Sequence, residues 1–274
     1  MKRKILTLRD IKNTQAIQFL NLIEDDFCQV CLDMEGTGDK QKGEKHFPFD
    51  IGINVIDKTG KIIFKKSLIV EDIFENDVAM NSAFFKNKIP FYENKLSVFC
   101  EDKDAILYQL LSIPKVLQTL NDIIKRFNCK VISAYNVSYD YDGVNNLYSL
   151  KPHITNKFKR LNDLDIQKLF IKYLIDFPKA KLNFFKWCKE NDKLTSTGKF
   201  ASTTAETVYQ YITKNLNFKE NHTGLEDLKI EVAIYKWIIR KYKQAKKELI
   251  YPLNTRRTFG VGLYNGKTPF LQVA

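Results

Sequence analysis

The sequence contains no apolar run long enough to cross a lipid bilayer, so a membrane-spanning helix is not predicted. The N-terminus is basic, but no sustained apolar stretch follows it, and a secretory signal is not predicted either. Internal repeats and low-complexity linkers are also missing. We therefore expect a soluble, cytoplasmic protein that has no membrane partner.

Cysteine and histidine are scarce, and their positions argue against a zinc site or a disulfide framework. Cys28 and Cys31 form a C-x-x-C spacing, but neither a second cysteine pair nor a histidine pair completes a zinc site. We expect reduced thiols that pack as small apolar side chains. The five cysteines are Cys28, Cys31, Cys100, Cys129 and Cys188, and the three histidines are His46, His153 and His222.

Acidic residues are in deficit, because 32 Asp and Glu stand against 44 Lys and Arg and give a net charge of +12. Such an excess suits a polyanionic partner, since Lys and Arg displace counterions from a phosphate backbone. A solvated lysine-rich surface is the alternative, and charge alone does not exclude it. The hydrophobic content of 44% is that of a folded chain.

The pattern over the first third of the chain predicts antiparallel strands. Phe27 to Leu32 predicts a buried strand that stops at Asp33. Residues 49–56 and 61–70 predict two further strands, and the turn at 57–60 between them indicates a hairpin. We expect the three strands to be antiparallel neighbours. A leading amphipathic helix is predicted over 8–24, and loops with short helices over 71–104.

The remainder alternates helix and strand. Apolar spacing over 106–127 predicts a helix that Pro114 begins or kinks. Residues 130–134 predict a short strand, and 136–150 a helix, which requires a crossover and parallel pairing. Residues 180–243 are predicted to be mostly helical. Capping boxes are predicted at Thr203 and Thr223, and the helix after Thr223 carries the apolar stripe Leu225, Leu228, Val232, Tyr235 and Ile239.

Candidate metal-binding carboxylates stand at three distant places in the chain. Asp33 and Glu35 are two residues apart and share one face of a strand. Asp140 follows the next parallel strand, and Asp227 lies in the first turn of a later helix. Oxygen ligands of this kind suit Mg²⁺ or Mn²⁺, and two such ions can activate a water against a phosphodiester. His222 lies five residues before Asp227 and could serve as the base.

The order D-x-E, N-x-x-x-D, H-x-x-x-x-D resembles the DnaQ-like DEDD 3′–5′ exonucleases of the histidine subclass (DEDDh), in the RNase H-like superfamily. Segment 136–140 is similar to that family's N-A-x-F-D, and segment 222–227 to its H-x-A-L-x-D. Segment 203–227 looks like small stand-alone exonucleases of bacteria and phages. The resemblance implies an α/β fold with a mixed central sheet, three antiparallel strands followed by parallel strands, flanked by helices.

The resemblance also implies a role for each matched residue and a division of the chain. Two Mg²⁺ or Mn²⁺ ions would bind to the four acids, and His222 would be the general base; the catalytic residues are then Asp33, Glu35, Asp140, Asp227 and His222. Substrate contacts are expected at Gly36, Thr37, Asn136 and Tyr139, and Asp165 resembles an auxiliary aspartate. The expected divisions are a helical lead (1–25), an exonuclease domain (26–243) with a poorly matched insertion (71–104), and a basic, aromatic extension (244–274).

One departure concerns the residue after Glu35. The family usually has E-T-T-G where this chain has Glu35-Gly36-Thr37-Gly38, so a hydroxyl is missing at Gly36. Substrate contact there would rest on the backbone or on Thr37. Four other polar residues are expected to be solvated and without a chemical role, and they are Glu44, His46, Asp50 and His153.

These observations predict a metal-dependent enzyme that removes nucleoside monophosphates from the 3′ end of single-stranded nucleic acid, with DNA favoured over RNA. An exonuclease acting on RNA or oligoribonucleotides is one alternative. A non-catalytic subunit with this fold that binds a polymerase is another. A role in DNA replication or repair would require a polymerase or replication partner in trans, because the sequence shows no polymerase module.

Overall fold

The computed structural model describes residues 28–38, 44–57, 59–97 and 107–248, with side chains as far as residue 244. The helix predicted over 8–24 lies outside these ranges, as does the extension beyond residue 248. Among the described residues, no helix is both long enough and apolar enough to cross a membrane.

The described strands form one mixed sheet in the order β4-β3-β2-β1-β5-β6. β1 pairs antiparallel with β2, and β2 pairs antiparallel with β3. The predicted hairpin and the predicted set of three antiparallel strands are therefore confirmed. The β1–β5, β5–β6 and β3–β4 pairs are parallel, which confirms the mixed α/β sheet. The strands are β1 (Cys28–Thr37), β2 (Phe47–Ile56), β3 (Ile62–Val70), β4 (Tyr108–Leu111), β5 (Cys129–Ala134) and β6 (Asn162–Asp165).

Helices cover both faces of this sheet. The short helices predicted after β3 are confirmed over residues 71–96, and Pro114 lies in the first turn of its helix, as predicted. The helices are α1 (Glu71–Phe74), α2 (Asp77–Asn81), α3 (Ile89–Leu96), α4 (Ile113–Arg126), α5 (Val137–Leu150), α6 (Ile166–Asp176), α7 (Pro178–Glu190), α8 (Ala205–Thr213) and α9 (Gly224–Glu248).

Two strand predictions were wrong at their boundaries. β1 does not stop at Asp33, because its pairing with β2 continues to Thr37 through an irregularity between Glu35 and Gly36. Residues 108–111 form β4 and not the start of a helix, because they pair with β3. The two carboxylates of β1 therefore lie within a hydrogen-bonded strand.

The alternation of β1 divides the core between the two faces of the sheet. Val30, Leu32 and Met34 pack into one apolar cluster with α4 and α5. Cys31 points to the other face and joins a second cluster under α6 and α9. Since Asp33 and Glu35 have the same parity as Cys31, they face α9.

Helix α9 begins directly on the backbone of β1 and β2. A Cβ on Gly52 would overlap the backbone of Gly224, and a Cβ on Gly224 would lie 2.7 Å from the carbonyl oxygen of Asp33. Neither residue can carry a side chain at this distance. The predicted apolar stripe of α9 is buried, which anchors the helix in this position.

The two predicted capping boxes differ from the observed helix starts. The N-cap of α8 is Thr204 and not Thr203, since the Thr204 hydroxyl accepts from the backbone N–H of Thr207. Before α9, the hydroxyl of Thr223 is buried and makes no hydrogen bond. There the backbone N–H of Thr223 donates instead to the carboxylate of Asp227.

Candidate active site

The predicted acids of β1 lie opposite two residues of β2 on the face covered by α9. Asp33 pairs with Gly52, and Glu35 pairs with Asp50. Directly opposed residues of antiparallel strands share one face of the sheet. The close approach of α9 at Gly52 therefore brings the start of that helix over both carboxylates.

Asp140 and Asp227 reach the same place from two helices. Asp140 lies in the first turn of α5, which follows β5, and Asp227 lies in the first turn of α9. The charge of each raises the pKa of Asp33 and of Glu35. The structure thus brings the four acids together within electrostatic reach of one another.

Burial and mutual repulsion raise the pKa values of these acids. Burial, followed by the charges of Asp50 and Asp227, raises the pKa of Glu35 to about 9. Burial raises the pKa of Asp227 to about 6, although backbone N–H groups of Asn221 and Thr223 donate to its carboxylate and oppose the shift. Carboxylates in this arrangement need either a proton or a compensating positive charge.

His222 lies beside two of the acids in a constrained backbone. A ring nitrogen of His222 and carboxylate oxygens of Glu35 and Asp227 all lie within 4.8 Å of one another. The φ of His222 is +53°, in the left-handed region that few side chains adopt. Burial and the charge of Lys88 lower the pKa of the imidazole, so the neutral ring is favoured near neutral pH.

The chemistry of this donor set fits divalent cations. It offers oxygen ligands from Asp33, Glu35, Asp140 and Asp227, the chemistry that Mg²⁺ and Mn²⁺ prefer. The repulsion that raises the pKa values is the repulsion that bound cations would relieve. The neutral imidazole at the edge keeps a nitrogen close to the ligand oxygens.

Two further acids of the site were missed in the sequence. Glu231 follows Asp227 by one helical turn, and its charge is the largest single charge acting on Asp33. Burial and the charge of Asp227 raise the pKa of Glu220 to about 7. The i, i+4 spacing of Asp227 and Glu231 was the available signal, because such residues lie on one face of a helix.

Asp50 was expected at the surface of the hairpin, and this was wrong. Its side chain is 0% exposed and accepts hydrogen bonds from Ser67 Oγ at 2.6 Å, Tyr92 OH at 2.7 Å and the backbone N–H of Gly224 at 2.9 Å. The third contact ties β2 to the first residue of α9. Glu44 and His153 are exposed, as expected.

His46 was also expected to be solvated, but it is 1% exposed. Its ring lies against Gly36, where any Cβ would overlap it, and it packs on Tyr139 with ring centroids 4.1 Å apart. Tyr139 OH and His46 Nδ1 are 3.1 Å apart. The imidazole thus fills the space that a side chain at position 36 would need.

The remaining predicted site residues have other surroundings. The hydroxyl of Thr37 donates to the carbonyl of Phe47, 3.2 Å away, and Thr37 is buried. Asn136 is exposed just before α5. Asp165 caps α6 through the N–H of Lys168 and pairs with that lysine's ammonium group.

The segment after α2 forms one edge of the site. The ring of Phe85 stacks on His222 with centroids 4.0 Å apart and an interplanar angle of 8°. Phe84 packs edge-on against Phe85 and is 87% exposed. Lys88 follows in a short 3-10 turn. The segment that the sequence motifs did not match therefore places a half-buried ring on the imidazole, with an exposed ring and a cation next to it.

No family model and no curated protein matches this sequence. Solved structures do match its fold. The nuclease domain of 3′hExo, described as a DEDDh family member and bound to rAMP, has a TM-score of 0.50 at 13% identity, with 80% of this chain and 94% of that chain covered. E. coli Exonuclease I, in complex with a 5cy-dT13 oligonucleotide, has a TM-score of 0.51 at 10% identity, with 82% and 43% covered.

The chain shares the fold of these two nucleases. The resemblance predicted from the three motifs is therefore confirmed at the level of the fold. Identities of 13% and 10% are too low to transfer the role of any residue to this chain. The chemistry therefore depends on the arrangement of this chain's own side chains. The chain spans less than half the length of Exonuclease I.

Proposed function

We propose that this protein is a two-metal-dependent 3′–5′ exonuclease that hydrolyses phosphodiester bonds at the 3′ end of single-stranded nucleic acid, with DNA favoured. The observation that carries the proposal is the convergence of Asp33, Glu35, Asp140 and Asp227 beside His222. Oxygen ligands alone would suit any Mg²⁺ or Mn²⁺ site, whereas a neutral imidazole beside them adds a group that can take a proton from an attacking water.

The four acids would hold two Mg²⁺ or Mn²⁺ ions, as their donor chemistry allows. When bound, such ions supply Lewis acidity toward the scissile phosphate and make the attacking water more acidic. His222 accepts the proton of that water on a ring nitrogen, because its lowered pKa keeps the ring neutral near neutral pH. The stack with Phe85 holds the imidazole plane while it does so.

The edge of the site supports a single-stranded substrate. Phe84 offers an exposed ring on which a base can stack, and base–aromatic stacking does not depend strongly on sequence. Lys88 places a positive charge close to the imidazole, where it can meet a phosphate. The net charge of +12 favours approach of a polyanion. We retain Gly36, Asn136 and Tyr139 as proposed contacts near the terminal nucleotide.

Matched DNA and RNA oligonucleotides with a 5′ label test the proposal. With Mg²⁺ or Mn²⁺ the protein should shorten the strand stepwise and release mononucleotides, and EDTA should stop it. Asp33→Asn and Asp227→Asn should abolish activity, and His222→Ala should lower kcat by about 10²- to 10⁴-fold. Glu226→Gln, in the same turn as Asp227 but paired with Lys229, is the control that should keep its rate. An Asp227→Asn variant with the wild-type rate would falsify the assignment.

The comparison of DNA with RNA oligonucleotides decides the sugar preference. Faster cleavage of DNA supports the proposed preference, whereas faster cleavage of RNA assigns the site to oligoribonucleotides. Binding without cleavage of either strand supports a non-catalytic subunit.

A further inference from the structure

Glu231 is a buried acid that the proposed hydrolysis does not use. It lies on α9 four residues after Asp227, so it points toward the same side of the helix one turn deeper. Only 4% of the residue is exposed. The corresponding stretch of the sheet beneath it carries Cys31, which its charge also reaches.

The contacts of Glu231 leave one of its oxygens without a partner. The backbone N–H of Tyr135, just after β5, donates to its carboxylate. Oε2 is buried and makes no hydrogen bond. Among the described residues, no Lys or Arg forms an ion pair with it. An acid buried in this way is costly unless a positive charge or a proton compensates it.

Glu231 acts electrostatically on the acids of the proposed metal site. Among the neighbouring charges, that of Glu231 raises the pKa of Asp33 most, followed by that of Asp140. The charge of Asp140 in turn raises the pKa of Glu231 most. Glu35 is grouped with Asp227 and His222, whose ligand atoms lie within 4.8 Å of one another. Glu231 therefore lies within electrostatic reach of Asp33 and Asp140 as well as of Asp227.

We propose that Glu231 is a fifth carboxylate of the metal centre, which helps to hold the divalent ion on the Asp33–Asp140 side through Oε2. The inference rests on the proposed metal-dependent function. The competing explanation is a protonated acid that serves only to join α9 to the end of β5 through Tyr135.

Two substitutions at this position separate the explanations. Glu231→Gln keeps an oxygen that can accept from the N–H of Tyr135 but removes the charge, whereas Glu231→Leu removes both. Mn²⁺ binding to the full chain, without substrate, is measured by calorimetry and by electron paramagnetic resonance. Circular dichroism and thermal unfolding monitor the fold, and Glu226→Gln is the control for loss of a carboxylate on the same helix.

We expect Glu231→Gln to keep the fold and to weaken one Mn²⁺ site by about 10- to 100-fold, the range found when groups that support a metal ligand are lost. The other site should be unchanged. Unaltered Mn²⁺ binding in Glu231→Gln, with lower thermal stability in Glu231→Leu, would overturn the inference while leaving the proposed function intact. A wild-type protein that binds no Mn²⁺ and cleaves no strand would overturn both.

Discussion

Gly36 and His46 form a matched pair behind the carboxylates. The buried imidazole occupies the space beside the Cα of Gly36, so the missing hydroxyl at position 36 is accompanied by a ring from the loop before β2. The same ring packs on Tyr139. The lack of a side chain at position 36 therefore leaves no empty space, because the His46 ring fills it.

The pair predicts how substitutions at either residue combine. Gly36→Thr should lower the free energy of unfolding by about 1–3 kcal/mol, because the new side chain overlaps the His46 ring. His46→Ala in the same chain should recover part of that loss by vacating the space. Urea unfolding of both single variants and the double variant measures the coupling. If the effects of Gly36→Thr and His46→Ala simply add in the double variant, with no coupling energy, the two residues do not compete for this space.

Phe84 provides a second prediction for a single residue. Phe84→Ala should raise KM for single-stranded oligonucleotides with little change in kcat, because its exposed ring would stack on a base in the complex. The loss of one stacking contact is worth about 1–3 kcal/mol in affinity. Phe84→Tyr keeps the ring and should behave as wild type.

Steady-state kinetics of both Phe84 variants checks this prediction. Val78→Ala is the control, since Val78 is an exposed apolar residue of the same segment and lies in α2. A KM for Phe84→Ala equal to that of the control would exclude a stacking role.

Single buried polar residues were the part of the site that was least predictable from the sequence. Asp33, Glu35, Asp140 and Asp227 stand at recognisable spacings after apolar runs, so their convergence could be predicted. Asp50 and His46 have no such local signal, because their burial depends on α9 and on Gly36, which are distant in sequence. Glu231 interrupts an apolar face of α9 and resembles any surface glutamate of an amphipathic helix.

At the scale of elements, the joint between β2 and α9 carries the site. Two glycines allow the backbones to touch, and Asp50 accepts the N–H of the first residue of the helix. A negative charge at this end also suits the helix dipole. His222 and Asp227 lie on either side of the joint and are positioned by it.

Asp50→Asn tests this joint. The amide keeps one oxygen, so it cannot accept from Ser67, Tyr92 and the backbone N–H of Gly224 as the carboxylate does. We expect a loss of about 1–3 kcal/mol in the free energy of unfolding, because a buried donor is left unsatisfied. Hydrogen exchange should also quicken at the first turn of α9. Asp57→Asn, in the exposed hairpin turn, is the matched control. Unchanged exchange at Gly224 would contradict the proposed role.

Elements with strong periodicity were predictable, and one that depends on a distant partner was not. The hairpin and the apolar stripe of α9 follow from local spacing. β4 has only four residues, which fit the helical spacing of the following segment equally well. Its strand conformation comes from pairing with β3, which is far away in sequence.

At the scale of the whole molecule, a basic chain folds around a concentrated acidic centre. Without cations this centre should make stability depend on pH. In the folded state the pKa of Glu35 is raised from 4.5 to about 9, that of Glu220 from 4.5 to about 7, and that of Asp227 from 3.8 to about 6. Between each pair of values the folded protein holds a proton that the unfolded chain has released.

The sign of the dependence follows from that difference in bound protons. The free energy of unfolding should fall as pH rises from about 4.5 to about 9, since the folded state binds more protons across this window. Mg²⁺ should restore stability, most strongly at the alkaline end, because it binds the ionised acids. Thermal unfolding with EDTA or Mg²⁺ at several pH values measures both effects. Glu35→Gln should flatten the curve obtained in EDTA, whereas a stability that rises with pH in EDTA would contradict the prediction.

Because the chain is synthesised from its N-terminus, the joint between β2 and α9 can form only late in translation. His222, Asp227 and Glu231 are made late, whereas the strand that carries Asp33 and Glu35 is complete by residue 37. A ribosome would therefore have produced most of the sheet before the cleaving centre could close. Under the proposed activity, a chain that ends before residue 222 has no cleaving centre.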